Sequence, residues 1–364
     1  MIENPVSPKW IWGLASVWLI HHVSLWILTV ASRDLTWSQA LNQWDAGWYS
    51  MMATDGYAHR ATHAFYPLYP LLLRIGMLLT FGAIPPAILG SLISTGIFFG
   101  FVGVCTALLK NQATLKTLSP LNLLPHSRWA WFFLFYSPAS YVFHSNHTES
   151  LFLLISMLAL WSAGLGRWKS ASIFAGLAAL TKNHGVLVAV AVAWMSAERN
   201  PGQRTSTFIK AGLLSALIFA LHPLQQGLLI GDPLSFIKIQ SAWTHSSNLS
   251  EYFSTFWFGN PWQNTNLGSI YRHAVVGLMI LAAFWNLKSS RPVGALIAGY
   301  VLLLPLQGEF INAFRFSAVL VPIWVVWGHR VAQMPRLAQI TIAVLFLYLN
   351  HLTTHGYLLG KWAY

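Results

Sequence analysis

AILGSLISTGIFFGFVGVCTALL, residues 87–109, runs without a charged side chain until Lys110 closes it. A helix of about 20 apolar residues crosses the hydrocarbon core of a bilayer, and a helix satisfies its own backbone polar groups where no water can. The stretch therefore predicts a transmembrane helix. Apolar runs recur at 10–31, 150–166, 211–230 and 337–350, so the membrane region is the body of the chain rather than an anchor. Composition agrees, because 364 residues that are 55% hydrophobic and 8% charged, with a mean hydropathy of +0.54, do not describe a soluble globular domain. The run at 10–31 lacks a small-residue cleavage site, which favours a retained first helix over a removed signal peptide. Cys105 is the one cysteine, so no intrachain disulfide forms.

The formal net charge of +12 is spread singly and in pairs between apolar segments, which reads as topology marking rather than as a nucleic-acid surface. Placing Lys9 inside lets Lys110, Lys116 and Arg128, Arg167 with Lys169, Arg199 with Arg204 and Lys210, Lys288 with Arg291, and Arg330 with Arg336 all lie inside. Segment 32–66 is then a first outer loop and 231–272 a long outer loop, within a single integral-membrane domain spanning 1–364. Two places bend the scheme. Residues 66–109 hold two apolar runs separated by Pro85 and Pro86, and 171–197 carry TKNHG at 181–185 mid-segment, as two half-crossings meeting at a polar turn would. The expectation is an all-α polytopic membrane protein with about 10 to 11 transmembrane or half-membrane helices and interfacial helices in the first outer loop. On this topology most acidic residues fall outside, so carboxylate chemistry belongs to the outer face.

NQWDAGWYSMMATDGY, residues 42–57, places two of the few acids beside aromatic rings. On a helix Asp45, Trp48, Tyr49 and Met52 share a face with Trp44 adjoining, as an interfacial helix requires. Asp45 there serves either as a general base toward a hydroxyl or as a helix cap. The prolines of AFYPLYPLLLRI, 64–75, read as a rigid helix entry. HSNHTES, 144–150, is a hydrogen-bonded turn or, less consistently with ligand spacing, a metal site; Glu149 is a candidate for a sugar hydroxyl or a basic partner. Lys182 and His184 fall within the membrane zone, where a lysine costs roughly 2.5–3.5 kcal/mol unless it is used or snorkels out. Arg315 stands ready for a lipid phosphate or for an ion pair with Glu309. No Walker A loop, GxGxxG, HExxH or paired CxxC occurs, so nucleotide-driven transport, soluble-cofactor redox chemistry and zinc proteolysis lack their warrants.

Six stretches in order resemble the PIG-V type of mannosyltransferase: QWDAGWY at 43–49, FYPLYP at 65–70, TESLF at 148–152, FAGLAALTKNHGVL at 174–187, GDPLSFIKIQSAW at 231–243 and FRFSAVLVPIW at 314–324. The resemblance implies a C-type glycosyltransferase fold, a polyprenyl- or dolichyl-phosphate sugar as donor, and a glycan, glycolipid or protein acceptor at the outer or luminal face of the bilayer. It implies Asp45 as the base of an inverting transfer. Lys182 and Arg315 are expected at the donor phosphate, with Trp44, Trp48, Tyr49, Glu149, His184 and Asp232 around the substrates. No metal or cofactor is expected, since the leaving group is already a phosphate. Gln43 and Lys182 depart from the basic residue and the arginine that the family pattern leads one to expect. A bacterial inner membrane with a periplasmic site is the expected setting, with the ER membrane as the alternative. Mannose is the expected donor sugar; the alternatives are the same fold using a different donor sugar and, as a competing class, a non-catalytic transporter or scaffold for lipid-linked sugars.

Overall fold

The computed structural model describes residues 5–242, 267–307, 310 and 312–361. Glu309 and residues 243–266 of the long loop, among them Glu251, lie outside the described residues, as does the expected Arg315–Glu309 pair. The described chain is helical, with no strand among those residues. In chain order the helices are α1 (Pro8–Arg33), α2 (Trp37–Leu41), α3 (Asp45–Asp55), α4 (Leu68–Leu79), α5 (Pro86–Lys110) and α6 (Gln112–Leu118). They continue with α7 (Arg128–Tyr136), α8 (Glu149–Gly164), α9 (Trp168–Ala179), α10 (Gly185–Glu198), α11 (Arg204–Phe219), α12 (Leu221–Ile230) and α13 (Ser235–Lys238). The last are α14 (Leu267–Ser289), α15 (Arg291–Leu303), α16 (Ala313–Ala318), α17 (Val321–Ala332) and α18 (Arg336–Leu358).

Among the described residues, five segments are long and apolar enough to cross a membrane: Pro8–Arg33, Pro86–Lys110, Pro201–Ile230, Ile270–Ser289 and Arg336–Leu358. Their starts follow from local chemistry. Pro8 and Pro86 sit in the first turn, where the missing N–H costs nothing, and Ser7 caps α1 by accepting the Trp10 N–H at 3.3 Å. Leu213, Leu217, Leu221, Leu224 and Leu228 are exposed along α11 and α12, and Leu337, Ile340 and Val344 along α18. Apolar side chains facing outward along whole helices are what a lipid solvent selects.

One further apolar run forms a shorter helix than its length suggests, and one forms the pair of short helices expected of it. The run 129–143 gives only nine residues of helix in α7, because Ser137 and Pro138 end it and a 3₁₀ turn follows at Ser140–Phe143. The run 171–197 is two short helices, α9 and α10, meeting at TKNHG.

The chain falls into two compact units. The first gathers the residues up to Gly56, then Leu68–Leu154, then the stretch from Ala318 onward. Its core is aromatic: Phe98 stacks on Phe143 at 4.4 Å, Trp18 lies 5.2 Å from Phe98, and Phe133 touches the rings of Trp324 and Phe346. The second unit gathers Tyr57–Pro67 and Ile155–Ser317. There α9, α10 and α11 pack mutually, and α15 packs on both α10 and α14. Gly185 makes the α9–α10 hairpin possible, since a Cβ there would meet the Ala179 nitrogen at 2.2 Å.

Candidate functional site

Asp45 is the first residue of α3, half-buried, with its carboxyl at the positive end of the helix. The residue before it is unusual. Trp44 holds φ 53 and ψ −125, a left-sided conformation seldom taken by a side-chain-bearing residue, and its indole donates to the Lys361 carbonyl at 3.2 Å. Trp44 is exposed, Trp48 half-buried and Tyr49 buried, so one turn of helix surrounds the acid with rings at graded depth.

HSNHTES is entirely buried and threads the first unit as a polar knot. The Asn146 side-chain amide donates to the Ala46 carbonyl at 3.0 Å and to Ser50 Oγ at 3.0 Å, while its oxygen accepts from the Tyr69 hydroxyl at 2.8 Å. Ser50 passes the chain on to Asn42 Oδ1 at 2.6 Å. One side chain thus pins the first turn of α3 to α4, and every one of its hydrogen-bonding groups is used, as a buried amide in an apolar setting requires. Ser94 and Ser91 of α5 donate to the carbonyls of His147 and His144 at 3.0 and 2.5 Å. Gly90 belongs to the same knot, because a Cβ there would lie 1.9 Å from Asn146 Oδ1.

Glu149 is fully enclosed at the N-terminus of α8. Thr148 donates to its carboxylate at 3.4 Å, and the Tyr49 hydroxyl lies 3.4 Å from Thr148 Oγ1, so Glu149 reaches the Asp45 helix through a relay. Among the described residues no group of three or more His, Cys, Asp or Glu side chains is placed to hold a metal. The two histidines of the motif instead hydrogen-bond elsewhere: His144 meets His22, whose other nitrogen lies 2.9 Å from Asn350 Oδ1, and His147 meets Ser145 at 2.8 Å.

In the second unit the TKNHG turn meets α16 through Phe316. The Lys182 ammonium lies 5.8 Å from that ring, and His184 packs edge-on to it at 4.1 Å while stacking on Tyr300 at 4.8 Å. Arg315, the neighbour of Phe316, is buried at 4% exposure. Lys182 and His184 therefore meet at one aromatic residue, and Arg315 adjoins that residue in the chain. Asp232 stands apart from them. It is exposed after the αL glycine Gly231 that ends α12, accepts the Leu234 N–H at 3.1 Å and pairs with Lys238 at 2.8 Å. The Lys238 hydrogen bond, with the Leu234 N–H, holds its carboxyl below the usual carboxylate range.

Of the residues singled out from sequence, Trp44, Asp45, Trp48, Tyr49 and Glu149 belong to the first unit, and Lys182, His184, Asp232 and Arg315 to the second. The residues that sequence reasoning missed are Asn146, Tyr69 and Gly90. Asn146 and Tyr69 sit inside stretches already quoted, but their pairing spans 77 positions. Neither local pattern nor periodicity signals such a bond.

The family model described as Mannosyltransferase (PIG-V) matches residues 22–200, the portion that holds Asp45, Glu149, Lys182 and His184. Asp232 and Arg315 lie beyond it. No curated protein and no solved structure matches the chain.

Proposed function

We propose, from the premise that the chain belongs to the mannosyltransferase (PIG-V) family and is a multi-pass membrane glycosyltransferase, that it moves a sugar from a polyprenyl- or dolichyl-phosphate donor to an acceptor hydroxyl. Mannose is the sugar the family favours. In the proposed step Asp45 takes the proton of the acceptor hydroxyl as that oxygen attacks the anomeric carbon. The bond from that carbon to the phosphate oxygen breaks, the lipid phosphate leaves with the electron pair, and the configuration inverts. The outer or luminal face carries the reaction, in a bacterial inner membrane or, alternatively, the ER.

The observation that carries this reading is the placement of Asp45: half-buried, at the head of a helix whose first turn is tied down by Asn146. A base must be held against a particular hydroxyl, and a few tenths of an ångström of play cost rate. Trp44 and Trp48 offer faces for a sugar ring or an acyl chain. Tyr49 and Glu149, being enclosed, act as positioning residues through Thr148. Lys182 and Arg315 are assigned to the donor phosphate, with His184 orienting Phe316 beside Lys182, and Asp232 keeps spare lone pairs for a substrate hydroxyl. No step needs a metal, because the leaving group departs as a phosphate monoester.

The test is transfer of radiolabelled mannose from polyprenyl-phosphate mannose in membranes carrying wild type or Asp45→Asn. The substitution keeps shape and removes the base, so transfer falls by about 10²–10⁴-fold, while melting changes modestly, since a carboxylate at a half-buried helix start contributes about 0.3–2 kcal/mol. Equal transfer by both proteins sinks Asp45 as the base. Binding of the lipid-linked sugar without transfer by either favours the transporter or scaffold reading.

A further inference from the structure

One cluster in the second unit has no part in the roles above. Helix α12 presents His222 and Gln226 one turn apart on a single face. Both are buried, at 0% and 1% exposure, yet neither amide atom of Gln226 has a hydrogen-bond partner, and His222 has only the loose neighbourhood of Gln225 in place of a well-formed bond. The adjoining Gln225 has a buried side-chain oxygen that makes no well-formed hydrogen bond, and its side chain lies beside His222 and Tyr57. In an apolar surrounding such groups are the most expensive kind to leave unmade, and native proteins keep few of them. The surrounding side chains are aromatic. Tyr66 and Phe236 each place a ring 4.7 Å from the imidazole of His222, and Phe219 closes the far side at 6.3 Å.

The covering element is the strap Tyr57–Pro67. It is tied to α13 by His63, whose Nδ1 lies 2.7 Å from Ser235 Oγ, and to the turn after α13 by Gln240, which donates to the Ala64 carbonyl at 3.2 Å. Tyr66 is the strap residue that lies over His222.

We infer that His222, Gln225 and Gln226, with the rings of Tyr66 and Phe236, form a subsite for the hydroxyl groups of a neutral sugar ring, entered when those two aromatic side chains swing aside. An imidazole and two amides offer donors and acceptors without formal charge, the complement of a polyol rather than of a phosphate or carboxylate. Flanking aromatic faces suit the C–H face of a pyranose. This deepens the glycosyltransferase reading and rests on it for the source of the sugar, which is either the donor's transferred residue or the acceptor's own glycan. The site itself rests on α12, α13 and the strap.

The experiment uses the full-length protein in detergent, the variants Gln226→Leu and His222→Phe, and saturation-transfer NMR with the methyl glycosides of mannose, glucose and galactose as probes. Wild type binds at least one of them. Each variant weakens that binding by about tenfold, the value of a neutral hydrogen bond or two. Melting temperature is unchanged or raised, because an apolar isostere no longer buries an unpaired polar group. Binding that is unchanged in both variants, absence of binding by wild type to all three glycosides, or a marked drop in melting temperature with Gln226→Leu overturns the inference, the last because it shows the amide to be structural. In the transfer assay Gln226→Leu raises the KM for one substrate with little change in kcat. A raised donor KM assigns the subsite to the transferred sugar, a raised acceptor KM to the acceptor glycan, and a change in neither overturns the inference. Should wild type transfer nothing, the proposed function falls, while the binding difference still decides the subsite.

Discussion

Gly90→Ala tests the polar knot at its tightest point. In an ordinary helix interior this change stabilises by up to about 1 kcal/mol, since alanine is the better helix former. Here the new Cβ would lie 1.9 Å from Asn146 Oδ1 and 2.4 Å from its Cγ, so Asn146 must leave its position. With it go the bonds to the Ala46 carbonyl, to Ser50 and from Tyr69. Three buried hydrogen bonds at about 0.5–1.5 kcal/mol each, with some of the partners left unsatisfied, outweigh the propensity gain and leave a net loss of roughly 2–4 kcal/mol. The decisive form is a double-mutant cycle. Asn146→Ala alone gives up the same bonds and costs a similar amount, but it removes the amide that the Gly90 Cβ would strike, leaving only a tight 3.0 Å contact with the Cβ at position 146. Adding Gly90→Ala to that background should therefore cost less than it does in wild type, for a coupling on the order of 1–3 kcal/mol. Unfolding in detergent micelles, followed by tryptophan fluorescence, reads all four proteins. Strictly additive costs, or a Gly90→Ala variant as stable as wild type, would refute the reasoning.

Two further outcomes follow from the second unit. Gly185→Ala sets a Cβ 2.2 Å from the Ala179 nitrogen and 2.4 Å from the Ala178 carbonyl oxygen, backbone atoms that cannot rotate away. It should destabilise by more than about 3 kcal/mol, into the tail of single-substitution effects, and a melting temperature within a degree of wild type contradicts the hairpin geometry. Asp232 has a carboxyl held below its ordinary pKa by Lys238, so the stability it contributes is present above the unfolded-state value and is lost as pH falls through the folded one. The melting-temperature gap between wild type and Asp232→Asn should thus be small at neutral pH, shrink with salt and vanish in acid; a gap that widens on acidification has the wrong sign.

The membrane architecture was legible because it rests on one-dimensional facts. Uncharged runs of sufficient length fold as helices whatever their neighbours, and 10–31 and 87–109 became α1 and α5 nearly to the residue. The two half-length helices around TKNHG were legible for the same reason, since a polar turn inside an apolar segment has few places to go. What the run 129–143 did not announce is its early break, which depends on Ser137 and Pro138 meeting a three-dimensional partner. Both the Ser137 carbonyl and Ser140 Oγ accept hydrogen bonds from Asn350, a residue 213 positions from the first. Candidate site residues could be picked by type, because acids and cations are rare in an apolar chain. Their supports could not, since Asn146, Tyr69 and Gly90 are ordinary residues whose importance is wholly in their pairing.

The supports also account for the backbone at Trp44. A side-chain-bearing residue at φ 53 and ψ −125 lies outside even the left-handed helical region, a conformation that costs of order 1–3 kcal/mol and persists only where its surroundings overdetermine it. The αL residues Asp34 and Asn122 serve as ordinary helix caps and bear no such cost. At Trp44 the constraint arrives from both sides: the indole is held by the Lys361 carbonyl, and the turn that follows is held by Asn146 through Ala46 and Ser50. A relaxed backbone at this position would rotate the first turn of α3 and carry Asp45 with it. Strain kept next to a half-buried carboxylate, and offset by a fully satisfied buried amide, is intelligible if the direction in which that carboxylate points is what the structure conserves energy to hold. A capping aspartate has no such need, because it would reach its own helix from a relaxed backbone.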